Sequence, residues 1–231
     1  MEEIFKRSID LIGKDNFNII KNLKICVIGL GGVGGTALMS LVRSGVLNFL
    51  LIDFDKVCLS NLNRQLFYDI NDLNKSKVEV CLNKLKLLSP NCKSVGINTT
   101  INENFDFDIL NEYDFVIDAI DDIKAKKLLI KHCLNNKINF ISSLGMGNRL
   151  SPENIKIVSL NKTFNDPLAR KLRYELKKEG LDTSKVKVCF SSSDYEKREE
   201  GVSSMIFAPS TAGLLIGYYV VNFFIEKYNN H

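Results

Sequence analysis

Two periods of apolar residues alternate along the first two thirds of the chain. Short apolar runs at Ile25–Ile28 and Phe49–Ile52, and Phe115–Ala119 with its apolar stretch ending in Asp118, have the length and β-branched content of strands buried on both faces. Between them apolar residues recur at helical spacing. Ala37, Leu38, Leu41 and Val42 do so within Thr36–Ser44, before a capping Gly45, and Val78, Leu82, Leu85 and Leu88 within Lys77–Leu88, which Ser89-Pro90 ends. Lys124–Asn136 reads as a further helix, and Val95–Ile101 and Asn139–Ser143 as further strands. A lead-in helix over Phe5–Asn22 has Phe5, Ile9, Ile12, Phe17 and Ile20 as its apolar positions. Strands and helices in alternation predict an α/β protein with a doubly wound, mostly parallel sheet and helices on both faces.

After residue 150 the alternation stops. Ile155–Leu160, Lys185–Ser191 and Val202–Ala208 read as strands. Asp166-Pro167 opens a helix with an N-cap and a proline at the first helical position, and Thr211–Lys227 is a closing helix that is apolar almost all round. The expected organisation is one domain over 1–231, with 1–150 as a nucleotide-binding core and 151–231 carrying substrate-side and dimerisation elements. Met205–Ile225 has no charged residue and is near the length of a membrane span. Pro209 interrupts it and Ser210, Thr211, Gly213, Tyr218, Tyr219 and Asn222 dilute it, so the reading is a buried helix and no membrane partner.

The junction after the first strand carries the first chemistry. Gly29, Gly31 and Gly34 stand in G-x-G-x-x-G spacing, with Gly32 added, and the second apolar run ends in Asp53. Glycines let a tight turn bring backbone close to phosphate, and the helix N-terminus behind them offers free N–H groups and a partial positive charge. Asp53, about 20 residues further on, can accept hydrogen bonds from a ribose. Strand, glycines, helix, strand and acidic residue in that order specify a Rossmann-like nucleotide site.

Composition adds limits rather than direction. A net charge of +4 does not by itself announce a nucleic-acid partner. The six cysteines, Cys26, Cys58, Cys81, Cys92, Cys133 and Cys189, form no C-x-x-C pair, which predicts reduced thiols in a cytoplasmic protein and no structural zinc. The opening MEEIFKRSID has acids and no apolar core of a signal peptide.

The polar loop between Asp55 and Lys77 carries the rest. Asp53-x-Asp55, then Ser60-Asn61-Leu62-Asn63-Arg64-Gln65, then Lys77, then Asp118-Ala119-Ile120-Asp121, resembles the ubiquitin-activating-enzyme-like superfamily of adenylating enzymes. The resemblance implies ATP in the nucleotide site and attack of a carboxylate on its α-phosphate. It implies that Asp53 holds the ribose and that Asn61, Arg64 and Lys77 contact phosphates. Asp55 and Gln65 belong to the same nucleotide-binding set, with Gly29, Gly31, Gly32 and Gly34. Asp121 supports Mg²⁺, and Arg7, in the Phe5-Lys6-Arg7 segment, reaches the ATP of a partner subunit in a homodimer. These types suit the chemistry, since developing phosphate charge needs cations and Mg²⁺ needs hard oxygen ligands. Arg64, Lys77, Asp121 and Arg7 are therefore the catalytic candidates.

Carrier-protein activators of this superfamily usually hold a zinc with two C-x-x-C pairs, which this chain lacks. Lys162-Thr163-Phe164-Asn165-Asp166-Pro167-Leu168-Ala169-Arg170, with Val188-Cys189-Phe190-Ser191 and the Pro209–Gly213 segment, resembles instead the tRNA threonylcarbamoyladenosine dehydratases. That branch implies adenylation of the threonyl carboxylate of a modified adenosine beside the anticodon. Attack by the ureido nitrogen, loss of AMP and closure of a hydantoin ring follow. The nucleophile is in the substrate, so no enzyme cysteine is needed, and Cys189 is expected to be packed near the site. Lys162–Lys178 contains six basic residues against Asp166 and Glu175, a net +4, a bias that suits RNA phosphates. The alternative function is activation of the C-terminal glycine of a ubiquitin-like sulfur carrier, and sulfur-relay proteins are further partners the resemblance allows.

Overall fold

The structure, a computed structural model, describes residues 2–194 and 201–229. Its entry is two helices rather than one: α1 (Glu2–Ile12) and α2 (Lys14–Asn22) meet at Gly13, whose φ of +83° interrupts the helix that apolar spacing predicts. β1 (Lys24–Ile28), α3 (Gly32–Ser44) and β2 (Asn48–Asp53) form the expected βαβ unit. Here α3 begins at Gly32 rather than Thr36, inside the glycine cluster. The chain continues through α4 (Lys77–Leu88), β3 (Lys93–Asn98), β4 (Phe115–Asp118), α5 (Ile123–Asn135) and β5 (Phe140–Ser143). β6 (Ile155–Ser159), α6 (Pro167–Lys178), β7 (Lys187–Ser191) and α7 (Phe207–Asn229) complete it.

The seven strands of the described residues share one sheet in the order β3-β2-β1-β4-β5-β7-β6, and among them only β6 runs antiparallel, against β7. Helices cover both faces, as the alternating pattern requires. Successive residues of a strand serve opposite sides: Ile25 and Val27 of β1 join a cluster with Leu38 and Leu41 of α3, Leu85 of α4 and Ile216 of α7. Cys26 and Ile28 join another with Leu129 of α5 and Leu172 and Leu176 of α6. The strand order reverses between β1 and β4, which opens a crevice at their C-terminal ends, the usual ligand position in such sheets.

One expected strand is absent. Residues 202–206 have no strand pairing and α7 already starts at Phe207, so Val202–Ala208 is not a strand. The segment's backbone groups are taken by loops instead. Asn148 N donates to Ser203 O at 2.7 Å, Ser203 N donates to Asn148 Oδ1 at 2.6 Å, and Asn63 Nδ2 donates to Ser204 O at 2.9 Å. Pro209 falls in the first helical turn, where its missing N–H costs nothing. α7 is the one helix among the described residues long and apolar enough to cross a membrane. It lies along α3 so closely that a Cβ on Gly213 would stand 2.5 Å from Val33 O, the packing of a core helix.

Candidate active site

The turn after β1 is locked before any ligand enters. Gly29 has φ +88°, and a Cβ on Gly34 would lie 1.8 Å from Gly29 O, so the turn cannot close with a larger residue there. Asp53, at the end of β2, holds the turn from the other side. Leu30 N donates to its Oδ2 at 2.6 Å and Asp55 N to its Oδ1 at 2.8 Å. Burial raises the Asp53 pKa, opposed by the charge of Lys77 and by these two N–H groups. Each oxygen keeps a lone pair for a further donor, so anchoring the turn and meeting a ribose are compatible.

A cavity of about 1280 Å³ runs along the C-terminal ends of β1, β2, β4 and β5. At one end it is lined by Gly29, Gly31, Gly32, Asp53, Asp55, Asn61, Arg64, Gln65, Lys77 and Asp121, so topology brings together residues up to 92 positions apart in sequence. The first-turn N–H groups of α3 have no intrahelical acceptor and face this end. Asn61 accepts from Cys58 N through Oδ1 at 3.2 Å, which leaves its Nδ2 to donate. Arg64 Nη1 donates to Ser60 O at 2.6 Å and Asn63 Oδ1 at 2.9 Å. Lys77 Nζ lies 2.7 Å from Asp55 Oδ2, with the lysine side chain 5 % exposed and the aspartate 46 %. The ammonium is therefore held at the cavity wall by its own carboxylate, so a phosphate entering there would compete with Asp55 for it. Gln65 Oε1 is buried with no hydrogen-bond partner, an orphaned acceptor that a nucleotide donor can satisfy.

Three candidates stand apart. Gly34 does not line the cavity and acts by closing the turn. Arg7 is exposed on α1 and lies outside the cavity of its own chain. Cys189 is buried with its Sγ 3.9 Å from Ala212 O, and burial pushes its pKa up to about 12, which leaves no thiolate for chemistry.

The far end of the cavity adds Arg149, which the sequence reading did not single out, to Asp166 and Lys171 of the 162–178 segment. It is lined by 143–147, Arg149, Asp166, Lys171, Val202 and Ser204. Arg149 is buried and its guanidinium donates to Ser193 O and, at 2.8 Å, to Asn165 O, with Asp166 Oδ2 at 3.8 Å. Asp166 also caps α6 by accepting from Ala169 N at 2.9 Å, and burial raises its pKa. Beneath the Asp121 loop lies a second missed cluster. Lys126 Nζ is 3.0 Å from both Asp118 Oδ2 and Ser142 Oγ, Ser142 Oγ donates to Asp118 Oδ2 at 2.6 Å, and all three residues are fully buried. A signal was present: Lys126 stands in register with Leu129, Ile130 and Cys133, the apolar stripe of α5, where a cation demands a buried partner. Asp118 Oδ1 accepts from Ile120 N at 3.1 Å, which shapes the turn that presents Asp121. No three His, Cys, Asp or Glu side chains cluster among the described residues. One carboxylate beside a phosphate site suits Mg²⁺, which takes few protein ligands and keeps its waters.

The sequence model of the ThiF family matches residues 5–152. The chain belongs to the ThiF family. Within it, the tRNA threonylcarbamoyladenosine dehydratase of Bacillus subtilis is 34 % identical over 240 aligned positions, covering 94 % of this chain and 92 % of that protein. The protein of the same name from Haemophilus influenzae is 42 % identical over 166 residues, 71 % of this chain and 64 % of that one, so this match spans just under two thirds of that relative. A solved structure of the Escherichia coli tRNA N6-threonylcarbamoyladenosine dehydratase in complex with ATP superposes with a TM-score of 0.92 at 29 % identity, over 99 % of this chain and 96 % of that one. The molybdopterin-synthase adenylyltransferase of Haemophilus influenzae is 34 % identical over a shorter stretch, 61 % of this chain.

Proposed function

We propose that the protein is an ATP-dependent tRNA threonylcarbamoyladenosine dehydratase. The observation that carries this reading is the size and division of the cavity. At about 1280 Å³ it exceeds the 300–1,000 Å³ of ordinary single-ligand sites. One end has the chemistry of a nucleotide triphosphate site, and the other has room for a second substrate. The similarity to the Bacillus subtilis dehydratase extends through the C-terminal third, where that second half lies.

In this reading the substrate carboxylate attacks the α-phosphorus of ATP, pyrophosphate leaves, the ureido nitrogen attacks the acyl carbon, and AMP departs with the oxygen. The substrate loses one water and ATP becomes AMP and pyrophosphate. ATP supplies the activation, and Mg²⁺ screens its phosphate charge. The chain's own residues bind and orient. The α3 N-terminus and Asn61 Nδ2 meet phosphate oxygens, Asp53 and Gln65 meet the sugar and its surroundings, and Arg64 and Lys77 stabilise charge developing at the α-phosphate. Asp121 holds the metal. Asp55 holds the Lys77 ammonium in place while the site waits. Ring closure is intramolecular, so the far end need only hold the two reacting groups together and exclude water. Arg7, outside its own cavity, serves the neighbouring subunit of a two-fold dimer, to which 151–231 contributes. The setting is the cytoplasm, where tRNA is.

The test is direct. The protein is incubated with ATP, Mg²⁺ and tRNA carrying threonylcarbamoyladenosine, and the digested nucleosides are weighed. Loss of one water per modified adenosine, with one AMP formed, is the expected result. AMP transfer to a sulfur carrier's C-terminal glycine with unchanged tRNA would overturn the assignment in favour of the carrier-activating branch.

A further inference from the structure

The structure divides the basic residues around α6 into two sets. Arg173, which charge counting includes among the RNA-facing candidates, turns inward. Its Nη1 donates to Thr163 O at 3.0 Å and to Thr163 Oγ1, fixing the loop before the helix. The others follow a helical stripe. Pro167, Arg170, Lys171, Tyr174, Lys177 and Lys178 recur every three or four residues and all face solvent. The buried face opposite them consists of Ala169, Leu172 and Leu176.

The acids beside the stripe are already spent. Glu175 and Glu179 lie on the edge facing α5, where Lys127 Nζ reaches Glu179 at 2.8 Å and Glu175 at 3.7 Å, and Lys131 Nζ reaches Glu179 at 2.8 Å. Arg170, Lys171, Lys177 and Lys178 make no ion pair among the described residues. In their midst Tyr174 is 66 % exposed, an aromatic ring turned mostly to solvent. The stripe is also anchored at the cavity, because Pro167 and Lys171 line its mouth. From there the twelve residues of α6 run about 18 Å across the surface at 1.5 Å each.

We infer that this stripe is the seat of the RNA strand flanking the modified adenosine, with Tyr174 stacking on a base next to it and the lysines following the phosphates. This rests on the tRNA reading of the active site. The geometry of the reaction demands such a seat. For its side chain to enter the cavity, the modified adenosine must leave its neighbours, and each neighbour then loses a stacking partner. Single-stranded RNA stripped of stacking is taken up by aromatic rings set among cations.

Tyr174→Ala is expected to weaken binding of the modified tRNA by about 5- to 150-fold, the range of one lost base stack, whereas Tyr174→Phe, which keeps the ring, binds within about twofold. Lys178→Ala is expected to reduce the slope of log affinity against log salt by roughly 0.7, one single-strand phosphate contact. Lys86→Ala is the control. It is exposed on α4, which packs on the opposite face of the sheet from α6, and is expected to leave affinity and slope unchanged. The melting temperature of each variant checks its fold. Binding is followed by fluorescence anisotropy with full-length protein, and dehydration by nucleoside mass. If the wild type dehydrates the tRNA and Tyr174→Ala and Lys178→Ala bind it as well as wild type does, or Lys86→Ala weakens binding equally, the seat is refuted while the function stands. If Tyr174→Ala loses affinity as expected but no water is lost in any protein, the seat stands and the dehydratase reading falls.

Discussion

Replacing Lys126 with methionine tests a charge that has no exposure at all. Lys126 and Asp118 are both 0 % exposed with 3.0 Å between Nζ and Oδ2. Methionine keeps most of the aliphatic stem, so packing changes little and the lost ion pair dominates. Removing one partner of a buried pair leaves the other charge uncompensated, at a cost of about 3–5 kcal/mol. At about 2–4 °C per kcal/mol for a chain of this size, the melting temperature should fall by roughly 6–20 °C. The double variant Asp118→Asn/Lys126→Met removes both charges and keeps an amide oxygen for Ile120 N, which donates to Asp118 Oδ1 in the wild type, while the amide nitrogen takes the place of Oδ2, where the Ser142 hydroxyl can turn to accept instead of donate. It should be more stable than Lys126→Met alone by at least about 1 kcal/mol, since contacting residues are not additive. Urea unfolding of wild type, Asp118→Asn, Lys126→Met and the double variant at unchanged slope supplies the numbers. In the folded fraction of Lys126→Met, turnover should also drop, because Asp118 shapes the turn that presents Asp121. A loss below about 1 kcal/mol in Lys126→Met, or effects that simply add in the double variant within about 0.5 kcal/mol, would show that the cluster is not held as an ion pair.

The other expectations are simpler. Arg64→Ala should lower turnover by about 10²–10³, the cost of one charge-stabilising donor, with little change in stability because Arg64 is half-exposed on a loop. Lys77→Ala should lose a similar factor and also about 1–3 kcal/mol of stability, because its side chain is nearly enclosed; wild-type specific activity in the folded fraction of either would sink the assignment. Arg7→Ala and Arg64→Ala proteins, each weak alone, should regain activity when mixed under subunit exchange, since one heterodimer site then has both arginines; no recovery with exchange confirmed would show that Arg7 does not act across an interface. Lys127 and Lys131 lower the Glu179 pKa from 4.5 to about 2, so this pairing stabilises the fold above pH 4.5 and is lost as pH falls towards 2. Glu179→Gln should accordingly be less stable than wild type by up to about 1 kcal/mol at neutral pH, as for exposed pairs, with the two urea midpoints converging near pH 2; a constant gap across that window would refute the link.

The readability of this chain follows from where its physics is local. β1, β2, β4 and β5 are legible because strands buried on both faces are largely apolar, each carrying an apolar run even where β4 ends in Asp118 and β5 in Ser142 and Ser143, and the order strand–glycine–helix marks a tight turn without tertiary information. Asp53, Asn61, Arg64 and Lys77, picked out by their spacing in a known pattern, line one cavity. What stayed hidden needed contacts between distant segments. The pairing of Lys77 with Asp55 gives Asp55, expected as a nucleotide ligand, the further part of holding the lysine. Val202–Ala208 has the β-branched and apolar residues of a strand, but the antiparallel edge beside β7 is filled by β6. Its residues instead cap the cavity through Asn148 and Asn63. The glycines of α3 read as turn because glycine disfavours helix, whereas packing against Gly29 and α7 demands their absence of side chains inside the first turn.

The cysteines show how the chemistry decides what the fold may omit. An enzyme that passes an acyl group to an outside acceptor must hold its activated intermediate against water until the acceptor arrives, for which a nucleophilic thiol is one solution. Here, on the dehydratase reading, the acceptor nitrogen is part of the same substrate, and proximity alone supplies an advantage worth several orders of magnitude. Cys189 accordingly sits on β7 as a small apolar side chain under α7, its pKa raised to about 12 by burial, and Cys26, Cys81 and Cys133 are likewise enclosed. Cys58 alone is exposed, in the loop that carries Asn61 and Arg64, but it does not line the cavity. The residues free to vary with the substrate are then those of the far end and its mouth, 143–147, Arg149, Asp166 and Lys171, and a change of substrate within the family must be written there rather than in the glycine turn.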